Sequence, residues 1–110
     1  MRITYSSKKL QQLCEDVRTM HRKRPDIEKK LRLRIKAIEA AETLGDLSKN
    51  DPLGRWHRLS GDREGQWAGK VSGNERIIIE PSCEGVKVLD VIEQLAVSEV
   101  NVRDITDYHD

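Results

Sequence analysis

The stretch that decides the fold is WHRLSGDREGQWAGKVSGNERIIIEP, residues 56–81. It contains three short segments of strand-like composition, separated by the breaks GDREG and SGN. Glycine in such breaks supplies the positive φ that tight hairpin turns need. The pattern therefore predicts an antiparallel meander. Residues 100–108, VNVRDITDY, are rich in β-branched side chains and predict a further strand.

Before the meander, the hydrophobic period is that of helices. Residues 3–5 predict a short strand, after which Ser6 or Ser7 can cap a first helix. The apolar positions of this helix form one stripe: Leu10, Leu13, Cys14, Val17 and Met20. Pro25 predicts the start of a second helix, which we expect to end at Gly45. Its apolar positions also recur at helical spacing: Ile27, Leu31, Ile35 and Ile38.

These elements predict an α+β fold in which two N-terminal helices pack on one face of a small, twisted antiparallel sheet. Residues 47–54 carry turn chemistry and mark the change from helix to sheet. For residues 81–99 the sequence leaves three possibilities open: an extra strand, a short helix or a loop. With 36% hydrophobic residues, 35% charged residues and no Phe among 110 residues, we expect a single domain, residues 1–110, with a thin core.

Composition also restricts the class of protein. The chain contains neither a targeting segment nor an apolar run near the roughly 20 residues of a membrane span, so we expect a soluble, cytoplasmic protein. Cys14 and Cys83 match no zinc-ligand spacing, and we expect two free thiols, with Cys14 in the core.

Charge is distributed unevenly along the chain. Residues 1–36 contain 12 Lys and Arg against 4 Asp and Glu, whereas the remainder contains 8 against 15. Such asymmetry suggests an anionic partner for the helices, but a simply solvated helix face gives the same pattern.

The candidates for acid/base chemistry are the histidines. His21 lies in a basic run at a helix end, where a cation commonly interacts with the last carbonyls. His57 opens the meander, and His109 follows Asp107 and Tyr108. Two imidazoles beside a carboxylate and a phenol can shuttle protons at neutral pH, for example from an RNA 2′-OH to a 5′ leaving oxygen, with arginines holding the phosphate. The alternatives are surface residues that close a sheet edge, or a metal site formed by His57, His109 and Asp107.

In combination these residues resemble the HigB group of the RelE/ParE toxin superfamily, the killer half of bacterial toxin-antitoxin modules. The motifs are a His four residues before the Gly of a GDR turn, then SGNxR, then a terminal DYH; ITYSSKKLQQLCED and LRLRIKAIEAAETL are also similar. The resemblance implies a compact toxin that cuts messenger RNA in the ribosomal A site, without a metal or another cofactor. It further implies a helix-turn-helix antitoxin of the HigA type, contact with operator DNA only through that antitoxin, and no membrane association.

The resemblance also implies roles for individual residues. A histidine acts as acid and another as base, Asp107 orients a histidine, Tyr108 contacts phosphate or base, and Arg76 steadies the transition state. The implied catalytic set is His57, Arg76, Asp107, Tyr108 and His109. Arg63, in the GDR turn, either contacts phosphate or forms a salt bridge that shapes the turn. The cations expected to contact ribosomal RNA are Lys8, Lys9, Arg22, Lys23, Arg24, Lys29, Lys30 and Arg34.

The chain departs from the family pattern at three places. Ser60 stands where relatives often carry Lys, Glu75 stands where an aromatic residue is common, and residues 81–99 fit poorly. Two other functions therefore stay open: a non-enzymatic, ParE-like inhibitor of DNA gyrase, and a degenerate toxin that acts only as an antitoxin partner or co-repressor. The gyrase-inhibiting branch generally lacks His57 and the DYH ending.

Overall fold

The computed structural model describes residues 1–108, and within this range the chain forms five α-helices and six β-strands. The helices are α1 (Lys8–Glu15), α2 (Val17–Lys23), α3 (Glu28–Ala40), α4 (Leu44–Asn50) and α5 (Val91–Ala96). The strands are β1 (Arg2–Tyr5), β2 (His57–Arg58), β3 (Trp67–Lys70), β4 (Glu75–Cys83), β5 (Val86–Lys87) and β6 (Glu99–Asp107). The predicted α+β class is confirmed. No helix within residues 1–108 has both the length and the apolar character needed to cross a bilayer.

The sheet is mixed and not wholly antiparallel as predicted. Its strand order is β1-β6-β4-β3-β2, with β5 paired to β4. The meander of β2, β3 and β4 is antiparallel, and β6 pairs antiparallel with β4. The first strand, however, lies parallel to the last, with Arg2 opposite Glu99 and Tyr5 opposite Val102. Parallel neighbours need a long connection between them, and here the helices and the meander together provide it.

The predicted first helix is two helices joined at Asp16. The Ser7 hydroxyl caps α1 by accepting a hydrogen bond from the Leu10 N–H at 3.1 Å. Asp16 ends α1 and caps α2, where its carboxylate accepts from the Thr19 hydroxyl at 2.9 Å and the Arg18 N–H at 3.0 Å. These bonds, Thr19 first, lower the pKa of Asp16. A carboxylate cap starts a new helix even though the apolar stripe continues through it.

The predicted second helix also ends earlier than expected. The helix α3 ends at Ala40, and Thr43 caps a separate helix, α4, by accepting from the Asp46 N–H at 3.1 Å. Gly45 lies inside α4, so the expectation that it terminates a helix is wrong. Its role is close packing, because a Cβ there would lie 3.1 Å from the Leu95 carbonyl oxygen of α5. Only residues 51–54 of the predicted turn are non-α, with a 3₁₀ turn at Pro52–Gly54.

Residues 81–99 contain both a strand, β5, and a helix, α5. The helix is fixed through Gln94, whose side chain is fully buried. The Trp67 indole N–H donates to the Gln94 Oε1 at 3.0 Å, and the Gln94 Nε2 donates to the Val88 carbonyl at 2.9 Å. A buried amide with both ends satisfied holds this segment against the sheet.

The main core lies between the helices and one face of the sheet. Its fully buried members include Leu31 and Ile38 from α3, facing Ile77, Ile79 and other residues of the central strands. The chain has no Phe, and the buried aromatic side chains of this core are Trp56 and Trp67. Trp56 lies directly on Gly69 of β3, where a Cβ would come within 2.4 Å of its ring. Its indole N–H donates to the Asp51 carboxylate at 2.9 Å.

The two cysteines should differ sharply in reactivity. Cys14 is buried and Cys83 is exposed, and both are free thiols, as expected. Burial, with a contribution from the Glu15 charge, raises the pKa of Cys14 to about 12. Because only the thiolate reacts, we expect iodoacetamide at neutral pH to label Cys83 alone in the folded protein, as measured by mass spectrometry of tryptic peptides. Cys14 should be labelled only in denaturant. Rapid labelling of Cys14 in a folded Cys83→Ser variant would contradict its burial.

Candidate active site

The helices pack on one face of the sheet, and the opposite face, here called the open face, carries the candidate site. Residues that pair directly across neighbouring strands share a face. One row runs from His57 through Ala68 and Ile78 to Asp104. A second row consists of Lys70, Arg76 and Thr106. Ala68 and Ile78 pack with Leu59 and Tyr108 in a small apolar cluster separate from the main core.

A β-bulge in β6 brings polar groups to this face. Ile78 pairs with Asp104, whereas the next residue, Ile79, pairs with Val102, so Arg103 is an extra residue in β6. Val102 and Ile105 can therefore both face the main core, and Asp104 moves to the open face. Bulges of this kind commonly redirect side chains beside active sites.

His57 begins β2 in a defined tautomer. Its Nδ1 lies 2.8 Å from the Arg55 carbonyl oxygen. Because a carbonyl only accepts, Nδ1 must carry the proton, and the neutral ring then has its lone pair on Nε2. Arg55 adopts a left-handed conformation, with φ of 46°, that is uncommon for a residue with a Cβ and that turns the backbone just before His57. The local fold thus determines which nitrogen of the neutral ring carries the proton.

Arg63 connects the GDR turn to the last strand. Its Nη2 lies 3.7 Å from the Asp104 carboxylate, and its Nη1 donates to the Gln66 side chain at 3.3 Å. The guanidinium carbon also lies 5.5 Å from the centre of the Tyr108 ring, a cation–π arrangement. Arg63 thus forms a salt bridge with the last strand, and its contact with phosphate stays a prediction. The same contacts hold Tyr108 over the apolar cluster of the open face.

Arg76 and Lys70 place two cations side by side on adjacent strands. Arg76 is held by the preceding turn, with Nη1 donating to the Ser72 carbonyl at 2.8 Å and to the Glu75 carbonyl at 3.1 Å. Like charges directly opposite each other destabilise a sheet, and an anion bound between them would offset that cost. Lys70 is absent from the sequence-based site, although alternation in WAGK, with buried Trp67 facing the core, could have identified it.

Glu75 and Asp107 pair with each other at the far end of the β4–β6 ladder. Alternation from Ile77 and Ile105 places both on the helix side of the sheet. Glu75 forms an ion pair there with Arg24 at 3.1 Å, which holds its side chain away from the open face. The orienting role of Asp107 stays a prediction, and His109 lies outside the described residues.

Two cations of the predicted RNA surface are engaged within the protein. Arg34 is buried and lies 3.3 Å from the Asp51 carboxylate. Arg24 pairs with Asp26 and Glu75, both at 3.1 Å, and these interactions, the Asp26 hydrogen bond first, raise its pKa. The remaining six cations are exposed: Lys8, Lys9, Arg22, Lys23, Lys29 and Lys30.

A sequence model of the family described as "RelE-like toxin of type II toxin-antitoxin system HigB" matches residues 3–93. The chain belongs to this HigB-like toxin family. As a type II toxin, it has a cognate antitoxin as its partner. No curated protein matches the chain.

Among solved structures, the chain resembles a YoeB/ParE toxin from Agrobacterium tumefaciens. The TM-score is 0.57 at 15% sequence identity, and the match covers 99% of this chain and 100% of that one. At this identity the likeness concerns the fold alone, and it confirms the RelE/ParE architecture expected from the sequence.

The contacts of Arg63 should order the GDR turn more than they stabilise the fold. Because Arg63 and Asp104 are both partly exposed, we expect Arg63→Met to change the free energy of unfolding by less than about 1 kcal/mol. Amide hydrogen exchange in residues 61–66 should nevertheless become faster. The matched control is Arg58→Met, an exposed arginine of β2. If amide hydrogen exchange in residues 61–66 is unchanged in Arg63→Met, the contacts between Arg63 and β6 do not order the turn.

Proposed function

We propose that this toxin is a ribosome-dependent endoribonuclease that cleaves translated messenger RNA by acid/base chemistry. The observation that carries the proposal is the open face itself. There, His57 has its Nδ1 proton fixed by the Arg55 carbonyl, while Lys70 and Arg76 sit side by side on neighbouring strands. A histidine whose Nε2 can act as a base, next to two cations that can bind phosphate, suits cleavage of a phosphodiester bond.

In the proposed reaction, Nε2 of His57 removes the proton from a ribose 2′-OH. The 2′ oxygen then bonds to the adjacent phosphorus, and the bond from phosphorus to the 5′ oxygen breaks. An acid gives its proton to the leaving 5′ oxygen, and we assign this step to His109, because the sequence predicts His57 and His109 as the acid/base pair and His57 is here the base. The products are a 2′,3′-cyclic phosphate and a 5′-hydroxyl. Proton transfer of this kind contributes about 10²–10⁴-fold in rate.

The cations of the open face would stabilise the charge that develops on the phosphate. Arg76 bonds to its turn through Nη1, and its planar fork offers further donors that match phosphate oxygens. Lys70 would add a point charge from the neighbouring strand. Such donors lower the barrier most when they are already in place before the reaction, as the turn contacts of Arg76 achieve here.

Two grooves lined by basic residues would guide RNA towards this face. One, of about 430 Å³, lies between α1, α2 and β6 and contains Lys9, Lys23 and Arg103 next to Asp104. The other, of about 410 Å³, extends from Lys30 on α3 to Arg55 and Lys70. Attraction of phosphate to these cations is blind to sequence and weakens with salt. The two basic grooves therefore suit docking on ribosomal RNA, and the open face would contact the messenger RNA.

Substitution of His57 tests the proposal. In cells that express the toxin, we expect His57→Ala to lower cleavage of translated messenger RNA at least about 100-fold, because the base is lost, and to relieve growth arrest. Primer extension on a translated message measures the cleavage. The matched control is His21→Ala, which also removes an imidazole. His21 is exposed, and its Nδ1 lies 2.8 Å from the Glu28 carboxylate.

Three outcomes would overturn the proposal. If messenger RNA cleavage and growth arrest persist in His57→Ala, His57 is not the base of the reaction. Arrest with intact messenger RNA and double-strand DNA breaks would indicate a gyrase inhibitor. A folded wild-type protein that neither arrests growth nor cuts RNA would indicate a partner or co-repressor. A parallel His109→Ala variant tests the proposed assignment of His109 as the acid.

A further inference from the structure

Large apolar side chains are exposed together on the segment that contains β5 and α5. Ile92 is 76% exposed, Val86 is 69% exposed and Leu89 is 55% exposed. We call this surface the α5 patch, and its members are Val86, Leu89, Val91, Ile92 and Leu95. The other exposed large apolar residues within residues 1–108 are Val17, Leu33 and Leu53, which lie on separate elements. Exposed apolar residues concentrated on one short segment mark an interaction site more often than scattered residues do.

The α5 patch is held outward by contacts on its inner side. Gln94 points from the same short helix into the core, where it bonds to Trp67 and Val88. Gly45 of α4 allows the backbone of α5 to approach closely. With Gln94 fixed inward, Ile92 and Leu95 cannot turn into the core, and their exposure is a consequence of the fold.

An acidic groove runs along the other side of α5. It has a volume of about 580 Å³, and Glu84, Glu93 and Glu99 are among its lining residues. The Glu99 carboxylate accepts from the Ser82 hydroxyl at 2.6 Å and the Gly85 N–H at 2.9 Å, and Arg2 lies 3.8 Å away. These interactions, that of Ser82 first, lower its pKa. The Glu99 carboxylate is therefore held in its charged form, beside Arg2, which also lines the groove.

Charge decides which class of partner fits. A surface that combines exposed apolar side chains with a carboxylate-lined groove repels nucleic acid. A second copy of this chain is also a poor occupant, because a symmetric contact between two α5 patches would bring two acidic grooves together. The complementary partner is a protein segment with apolar residues on one side and Lys or Arg on the other.

We propose that the α5 patch and its acidic groove receive the cognate antitoxin. An amphipathic antitoxin segment would cover Leu89, Ile92 and Leu95, and a basic side chain would enter the groove beside Glu93. Leu89 also reaches Gly65, where an added Cβ would lie 2.8 Å from its Cδ2. Docking here would therefore press on the turn that carries Arg63, and it would leave the basic grooves of the helices uncovered.

The test compares two aspartate substitutions at exposed apolar positions. Ile92→Asp buries a charge in the proposed interface, whereas Val17→Asp places the same charge on α2, where Val17 is 50% exposed. Each toxin is produced alone and together with its antitoxin. Affinity for the purified antitoxin is measured by calorimetry.

We expect Ile92→Asp to arrest growth when produced alone, to escape rescue by the antitoxin and to lose at least about 100-fold in affinity, as for a central interface residue. Val17→Asp should be rescued and should bind like wild type. Glu93→Lys should also weaken binding, because it reverses the charge of the groove.

Unchanged affinity and full rescue of Ile92→Asp would overturn the inference. So would a wild-type dimer that Ile92→Asp converts to monomer while antitoxin binding persists, since the patch would then join two copies. Affinity decides the matter even if a variant proves non-toxic. The inference depends only on membership of the toxin family, so continued arrest by His57→Ala would defeat the proposed reaction and leave this surface standing.

Discussion

The antiparallel pairing of β4 with β6 is the contact on which the rest of the structure depends. It runs from Glu75 opposite Asp107 to Ser82 opposite Glu99, and it places β6 inside the sheet, between β1 and β4. The meander joins one side of this pair through β3, and β1 joins the other. Because the central strands supply Ile77, Ile79, Val100 and other fully buried residues, the helices have a surface to pack on only when this pairing has formed.

The same pairing creates the candidate site. The extra residue at Arg103 changes which side chains of β6 face outwards, so that Asp104 reaches the open face while Ile105 keeps its place against the core. Asp104 then holds Arg63, and Arg63 lies against Tyr108. A single bulge thus links the GDR turn, the last strand and the face that carries His57. The apolar cluster of Leu59, Ala68 and Ile78 lies beneath these groups and holds them in position.

The sequence predicts those parts of the fold that short-range patterns specify. The meander follows from glycine-containing turns between apolar segments, and the Ser7 cap follows from a hydroxyl before a helical stripe. The parallel pairing of β1 with β6 could not be predicted, because it joins residues about 97 positions apart and no local pattern records it. Asp16 and Gly45 show a different limit, since each residue type has several structural uses, and only the neighbouring elements decide between a cap, a stop and a close contact.

The candidate site likewise contains some residues that sequence motifs identify and others whose position only the fold determines. His57 and Arg76 could be identified from motifs, and their backbone contacts explain how the fold orients them. For Lys70, alternation in the strand indicates only which face it lies on; no motif marks a lone lysine, and its proposed role in the site depends on its position opposite Arg76. The burial of Arg34 depends on Asp51, which a count of charges on a helix does not include.

The chemical nature of the cut ends tests the proposed reaction most directly. Purified toxin would be added to ribosomes stalled on a defined message, and the new RNA ends would be identified by their response to polynucleotide kinase and by mass spectrometry. Attack by the neighbouring 2′ oxygen predicts a 5′-hydroxyl on one fragment and a 2′,3′-cyclic phosphate on the other. Fragments with a 5′-phosphate and a free 3′-hydroxyl would show that water attacks the phosphate, and they would contradict the role given to His57.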